Sequence, residues 1–138
     1  MNRQTALGFV DAINGHDVER IVSLMTDDHI FIDAYGNTES RDAMKKGWPG
    51  YFSWFPDYRI EVSDVLVSGN VVALFGHASG TYHGIETPDN MNHWRIPAAW
   101  RVVVEHGKVK VWQVYADSKI PFDIMNAADQ ADTGRKKF

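Results

Sequence analysis

The sequence predicts an α+β fold, with helices packed on one face of a curved antiparallel sheet. Two observations predict it. Up to residue 54 most of the chain carries the i, i+3, i+4, i+7 apolar spacing of amphipathic helices, interrupted by one extended segment. From 58 to 117 it reads instead as two long hairpins. Helices gathered before strands indicate segregated layers rather than alternating βαβ units. A length of 138 residues suits a single domain, 1–138, with its core over about 5–120 and enough chain to bury roughly two thirds of its unfolded surface.

Ala6, Phe9, Val10 and Ile13 place the first helix over 3–14, and Asn14-Gly15-His16 breaks it. Asp17 is a good N-cap for a second helix, where Val18, Ile21, Val22 and Met25 repeat the spacing. These two stripes make a helical hairpin that needs a sheet to cover. "HIFIDAYGN", residues 29 to 37, follows as a strand, with Ile30 and Ile32 on one side and His29, Phe31, Asp33 and Tyr35 on the other. Ser40 caps a third helix from Arg41 towards Trp54. Pro49 has no amide hydrogen and should kink or split that helix near Trp48.

Strands are expected over 58–67 and 71–82, around Ser68-Gly69-Asn70, and over 97–105 and 108–117, around His106-Gly107. Between the hairpins, "GIETPDNMNHWRI" at 84–96 is polar, carries Pro88 and reads as a long loop, with Trp94 as its lid residue. Pro121 opens a weak last helix, and 132–138 reads as a frayed tail. Both faces of 97–117 are apolar. We therefore expect helices and a cavity over one sheet face and the second subunit of a homodimer over the other.

Composition narrows the function. Five Trp, five Tyr and seven Phe are generous and suit a fold that lines a cavity as well as a core. A net charge of −4 argues against a nucleic-acid partner, which would need a basic surface. The absence of cysteine excludes disulfides, thiol catalysis and cysteine-ligated zinc. No apolar run approaches a membrane span and no signal-peptide pattern opens the chain, so no membrane partner and a cytoplasmic location are expected. His77, His83 and His93 lack tight ligand spacing, and no metal is expected.

Several stretches carry a family resemblance. "FVDAINGHDVERIVSLMTDDHIFIDAYGN", then "SGTYHG", "IPAAWRVVVEHGKV" and "WQVYAD", together spanning about residues 5–120, resemble the nuclear-transport-factor-2-like superfamily. The similarity is to its ketosteroid-isomerase-like branch and its SnoaL-like, polyketide-cyclase-like branch. It implies a cone, in which a bent sheet wraps the N-terminal helices as a cystatin-like α+β barrel and encloses an apolar pocket. Asp33 falls where ketosteroid isomerase carries its general base, and a carboxylate held against an apolar wall becomes a better base. The isomerase's two oxyanion donors fall at Phe9 and Ala99, which cannot donate, so steroid isomerisation is not expected. Asp117 resembles the terminal acid of limonene-epoxide-hydrolase-like members, whose arginine partner would be Arg95 or Arg101.

Each candidate also has a plainer reading. Asp33 could form the turn before Gly36-Asn37, and Asp117 could cap the strand end or the last helix. Arg101 shares strand parity with Ala99 and would either enter the cavity to pair with a carboxylate or pair with an acid outside. His77 lies on a strand and could assist acid–base chemistry near neutral pH. Phe31 and Tyr35 share the face of Asp33. Trp48, Phe52, Phe55 and Trp112 are expected as further pocket wall.

The expected function is acid–base chemistry on a small hydrophobic, aromatic or polyketide-like molecule, as an isomerase, cyclase, dehydratase or hydrolase. Asp33 would be the base or acid, assisted by Asp117, Arg101 or His77, with no cofactor. The alternatives are a non-catalytic domain for ligand binding or protein interaction, and an epoxide-hydrolase-like enzyme.

Overall fold

The computed structural model describes residues 1–84 and 91–136, to side-chain level as far as residue 130. Helix α1 (Asn2–Asn14) buries the predicted stripe of Ala6, Phe9, Val10 and Ile13. His16 then takes a left-handed conformation (φ 51°). Its ring stacks on Phe52 at 4.1 Å, and its Nε2 lies 2.9 Å from the Tyr58 carbonyl oxygen. Helix α2 (Val18–Ser23) is capped as expected, the Asp17 carboxylate accepting from the Arg20 amide. Strand β1 (Met25–Ile32), a turn and the short β2 (Thr38–Ser40) lead into α3 (Arg41–Trp54), where Ser40 Oγ accepts from the Ala43 amide. Pro49 does not split α3, which runs as one helix to Trp54. A single missing hydrogen bond is outweighed by the burial of Met44, Trp48 and Phe52 on its inner face.

Four long elements follow: β3 (Arg59–Ser68), β4 (Val71–Thr81), β5 (His93–Glu105) and β6 (Lys108–Ala116). A left-handed His106-Gly107 pair turns the last hairpin. The sheet is curved and unclosed, in the order β2-β1-β6-β5-β4-β3, with β1 parallel to β6 and every other pair antiparallel. Its bend is built into the β3–β4 ladder, where the register shifts between Val62 and Asp64. Gly76 sits opposite that bulge, and a Cβ there would lie 1.8 Å from the Glu61 carbonyl oxygen. Only glycine allows the two strands to approach so closely.

Several boundaries differ from the sequence reading: α2 ends at Ser23, so Met25 opens β1 instead of completing the helical stripe, and β1 ends at Ile32, ahead of the turn at 33–37. Strand β5 begins at His93, so the predicted loop is shorter, and its residues 85–90 lie outside the described residues. Polar His93 and Arg95 on the outer face conceal the inner alternation of Trp94, Ile96, Ala98 and Trp100. Helix α4 (Lys119–Lys136) continues where a frayed tail was expected. It is held by Ile124, Met125 and Ala128 against the core and by Tyr82 Oη donating to Asp129 Oδ1 at 2.9 Å.

The core lies between the inner sheet face and the helices. Phe9 packs 5.0 Å from the Trp112 ring, and Asn14 brackets Ile60 by donating to its carbonyl and accepting from its amide. No helix among the described residues is long and apolar enough to cross a membrane.

Candidate ligand-binding cavity

Helix α3, the inner face of β4, β5 and β6, and the first turns of α4 enclose a cavity of about 290 Å³. All five tryptophans of the chain line it. The void has a local cause. Gly76, Ala98 and Ala116 form one row across three neighbouring strands, so the centre of the sheet's inner face carries almost no side-chain bulk. Trp48, Tyr51 and Trp54 of α3 span this bare row without filling it. At the mouth, the ring of Tyr35 lies 6.2 Å from that of Phe122 on α4.

The lining includes no lysine, arginine or histidine among the described residues. Among the described residues its one carboxylate is Asp33, at the mouth. Asp33 Oδ1 accepts from the Tyr35 and Asn37 amides at 2.9 Å each, and the Asp33 amide donates to the Asn37 carbonyl. Asp33 therefore forms the turn and lines the cavity at once; the two readings of this residue are not exclusive. Its Oδ2 makes no hydrogen bond to a described residue.

Deeper in the cavity, Tyr51 and Tyr58 meet edge to face with ring centroids 4.8 Å apart. Burial pushes the Tyr51 phenol well above its ordinary range, partly offset by the neighbouring Tyr58 hydroxyl. Burial raises Tyr58 as well, and Tyr51 raises it further. Both phenols are neutral at any physiological pH. The indole N–H groups of Trp48, Trp94 and Trp100 are buried with no hydrogen-bond partner among the described residues. Among the described residues the cavity wall is thus overwhelmingly apolar and aromatic.

The comparisons with known proteins agree with this architecture. Residues 6–112 match the family model for the SnoaL-like domain. The chain belongs to the SnoaL-like domain family. Solved structures share the fold at low sequence identity. A candidate SnoaL-like polyketide cyclase from Shewanella denitrificans OS-217 superposes with a TM-score of 0.76 at 13% identity, covering 91% of this chain and 97% of that one. A cystatin-fold protein from Novosphingobium aromaticivorans gives 0.72 at 22% identity, covering 83% and 97%. A protein with a ketosteroid-isomerase-like fold from Catenulispora acidiphila, in complex with trimethylamine, gives 0.70 at 16% identity, covering 80% and 83%. Among curated proteins, none matches the sequence.

Within this SnoaL-like frame the candidate residues separate. Phe31, Tyr35, Trp48, Phe55, Trp94 and Trp112 line the cavity with Asp33. Trp94 is wall rather than lid, since it sits inside β5 and is only 3% exposed. Phe9 and Phe52 are core residues outside the lining, Phe52 stacking between Trp48 and His16.

Ala99 and Arg101 face away from the cavity, because β5 turns Ala98 and Trp100 inward. The strand's own apolar alternation sets its parity, and the family-matched position at Ala99 is displaced from it by one residue. Asp117 is exposed, and its Oδ1 accepts from the Lys119 amide at 3.0 Å, an Asx turn that leads into α4. His77 pairs across the sheet with Glu61 and Pro97, in the outer-face parity opposite to the cavity-lining Ala78. No group of three or more metal-ligating side chains occurs among the described residues.

Sequence reasoning missed Tyr51, Tyr58 and Trp100. Tyr51 was legible, since it stands three residues after Trp48 on the same helix face. Tyr58 was hidden by its place in the "FPDY" turn.

Proposed function

We propose that this SnoaL-like protein binds a small hydrophobic, aromatic or polyketide-like molecule in the α3–sheet cavity. The enclosed aromatic wall over the bare Gly76–Ala98–Ala116 row carries this reading. A void lined by rings, with no cationic side chain among the described residues, favours a flat neutral ligand and disfavours carboxylates and phosphates. A crystal soaked with 2-acetylnaphthalene tests it: density for the probe between Trp48 and Ala98 is expected, and a probe found only on the surface would refute it.

Asp33 supports a second, catalytic reading. Among the described residues it is the one carboxylate on the lining, and its Oδ2 makes no hydrogen bond to any of them, so it is placed to exchange a proton with the ligand's outer edge. Asp33→Asn keeps an oxygen for both turn amides. On this reading it retains ligand affinity and abolishes turnover of an enolisable aromatic ketone; unchanged proton exchange would remove Asp33 from the chemistry.

We also propose a homodimer through the outer sheet face. Phe75, Ala99 and Tyr115 form one row there, and the two rings are 43% and 52% exposed on either side of a methyl group. That row is a shallow socket for an aromatic ring of a second copy. Light scattering should give twice the 15.6 kDa chain mass. Ala99→Glu should return the monomer, and a monomeric wild type at micromolar concentration would contradict the proposal.

A further inference from the structure

The walls of the cavity are not held equally. Helix α3 buries Met44, Trp48 and Phe52, and the sheet wall is fixed by the β4–β5 and β5–β6 ladders. Helix α4 supplies Pro121, Phe122 and Met125 to the same lining, yet of residues 119–130 only Pro121 is buried. Ile124, Met125 and Ala128 rest half-buried on the core, while Ile120 and Phe122 are exposed. A segment with so few buried apolar side chains opens at less cost than the whole fold.

Two further features give α4 the parts of a hinged body. At its start, Ala116 is still paired with Ala98, and the Asp117 carboxylate then takes the Lys119 amide in a tight turn. The Lys119–Asp123 ion pair, one helical turn apart, braces the segment just past that turn. About 15 Å along the helix from Lys119, Asp129 Oδ1 accepts from Tyr82 Oη at 2.9 Å. Tyr82 is a fixed post. It is buried, its amide donates to the Asn92 carbonyl, and the preceding Thr81 gives both its amide and its hydroxyl to the Asp57 carboxylate at 2.7 Å each. The chain is therefore pinned at β6, able to pivot at 117–119, and fastened again far from the pivot.

We propose that α4 is a lid that turns about residues 117–119 to admit the ligand, with the Tyr82–Asp129 hydrogen bond as the latch that sets how often it opens. This inference adds a gate to the cavity reading and rests on it. Lifting α4 takes Pro121, Phe122 and Met125 out of the lining and parts Phe122 from Tyr35 at the mouth, while α3 and the sheet stay in place. The latch bond is made when the lid is closed, whether or not a ligand lies beneath it. Losing it raises the open fraction of free and bound protein alike, so entry and exit quicken together and affinity stays nearly constant. A static wall behaves otherwise: loosening it speeds exit alone and weakens affinity.

Amide exchange and stopped-flow binding of 2-acetylnaphthalene, followed by tryptophan fluorescence, test this. In the ligand-free protein, α4 amides over 123–130 should exchange ahead of those of α3, through an opening short of global unfolding. Tyr82→Phe keeps the ring beside Phe55 and removes the donor, and Asp129→Ala removes the acceptor at an exposed position. Each should raise α4 exchange and both binding rate constants roughly tenfold, with affinity within about twofold of the unaltered protein. Exchange of α4 only together with α3, unchanged rates in both variants, or a faster dissociation alone would overturn the lid and leave the cavity reading standing. A probe that does not bind would overturn the cavity reading, and the lid with it.

Discussion

Ala98→Leu separates a cavity kept open for a ligand from one left by imperfect packing. Ala98 lies in the middle of the bare row, 8% exposed, with the aromatic side chains of α3 across the void. Leucine adds three carbons, each worth about 0.8 kcal/mol when buried, and loses about 0.5–1 kcal/mol of rotamer freedom. Because the space already exists, no overpacking cost applies, and the net gain is about 1.5 kcal/mol. For a chain of this size that corresponds to a rise in melting temperature of about 5 °C. The same side chain occupies the ligand's place and should weaken probe binding at least tenfold. Thermal unfolding with and without 2-acetylnaphthalene reads both effects. Wild type should melt higher when the probe is present, and the variant should melt higher without it and respond little to it. A variant that is destabilised and still shifts with the probe would refute the reasoning.

Three further outcomes follow from particular residues. His29 is buried, with Nδ1 2.8 Å from the Val109 carbonyl oxygen, and burial lowers its pKa below the ordinary 6.5. Its contribution is therefore present above about pH 6.5 and lost as pH falls from there through the folded value. Urea unfolding should show stability falling from pH 7 to 5, and His29→Gln should flatten that slope; an equal slope in the variant would assign it to other groups. Asp33→Ala removes both turn hydrogen bonds and should cost about 1–2 kcal/mol, whereas Asp33→Asn should stay within about 0.5 kcal/mol of wild type. Equal melting temperatures for the two variants would show that the turn does not depend on this side chain. Gly76→Ala drives a methyl group into the Glu61 carbonyl and should cost about 3 kcal/mol or more, leaving little soluble protein. A well-folded variant with an unchanged melting temperature would show that the β3–β4 bend is not fixed by this contact.

Local chemistry made much of this fold legible in the sequence. Asp17 and Ser40 announce their helices because a side-chain oxygen before an apolar stripe has one obvious use. His106-Gly107 marks its hairpin in the same way. The wall residues Phe31, Trp48, Phe55 and Trp112 were legible because large rings at structural spacing must be buried somewhere. What failed was strand parity and location. Ala99 was placed inward from a distant family match and Arg101 was left open between the two faces, although Trp100 and Val102 on the same strand already point the other way. Asp117 and Asp33 are chemically able to be either caps or catalytic acids, and only the path of the chain shows that both hold turns. The Tyr51–Tyr58 pair joins a helix to the turn beyond it, and contact between their rings depends on the angle at which that turn leaves α3. No spacing rule encodes that angle.

The central claim is that the cavity takes a small aromatic molecule, and the five tryptophans around it provide the readout. Intrinsic tryptophan fluorescence, titrated with 2-acetylnaphthalene at micromolar protein, should be quenched saturably with a stoichiometry of one per chain, and Ala98→Leu should remove the saturable part. Quenching that stays linear in probe concentration and is identical in the two proteins would contradict the account.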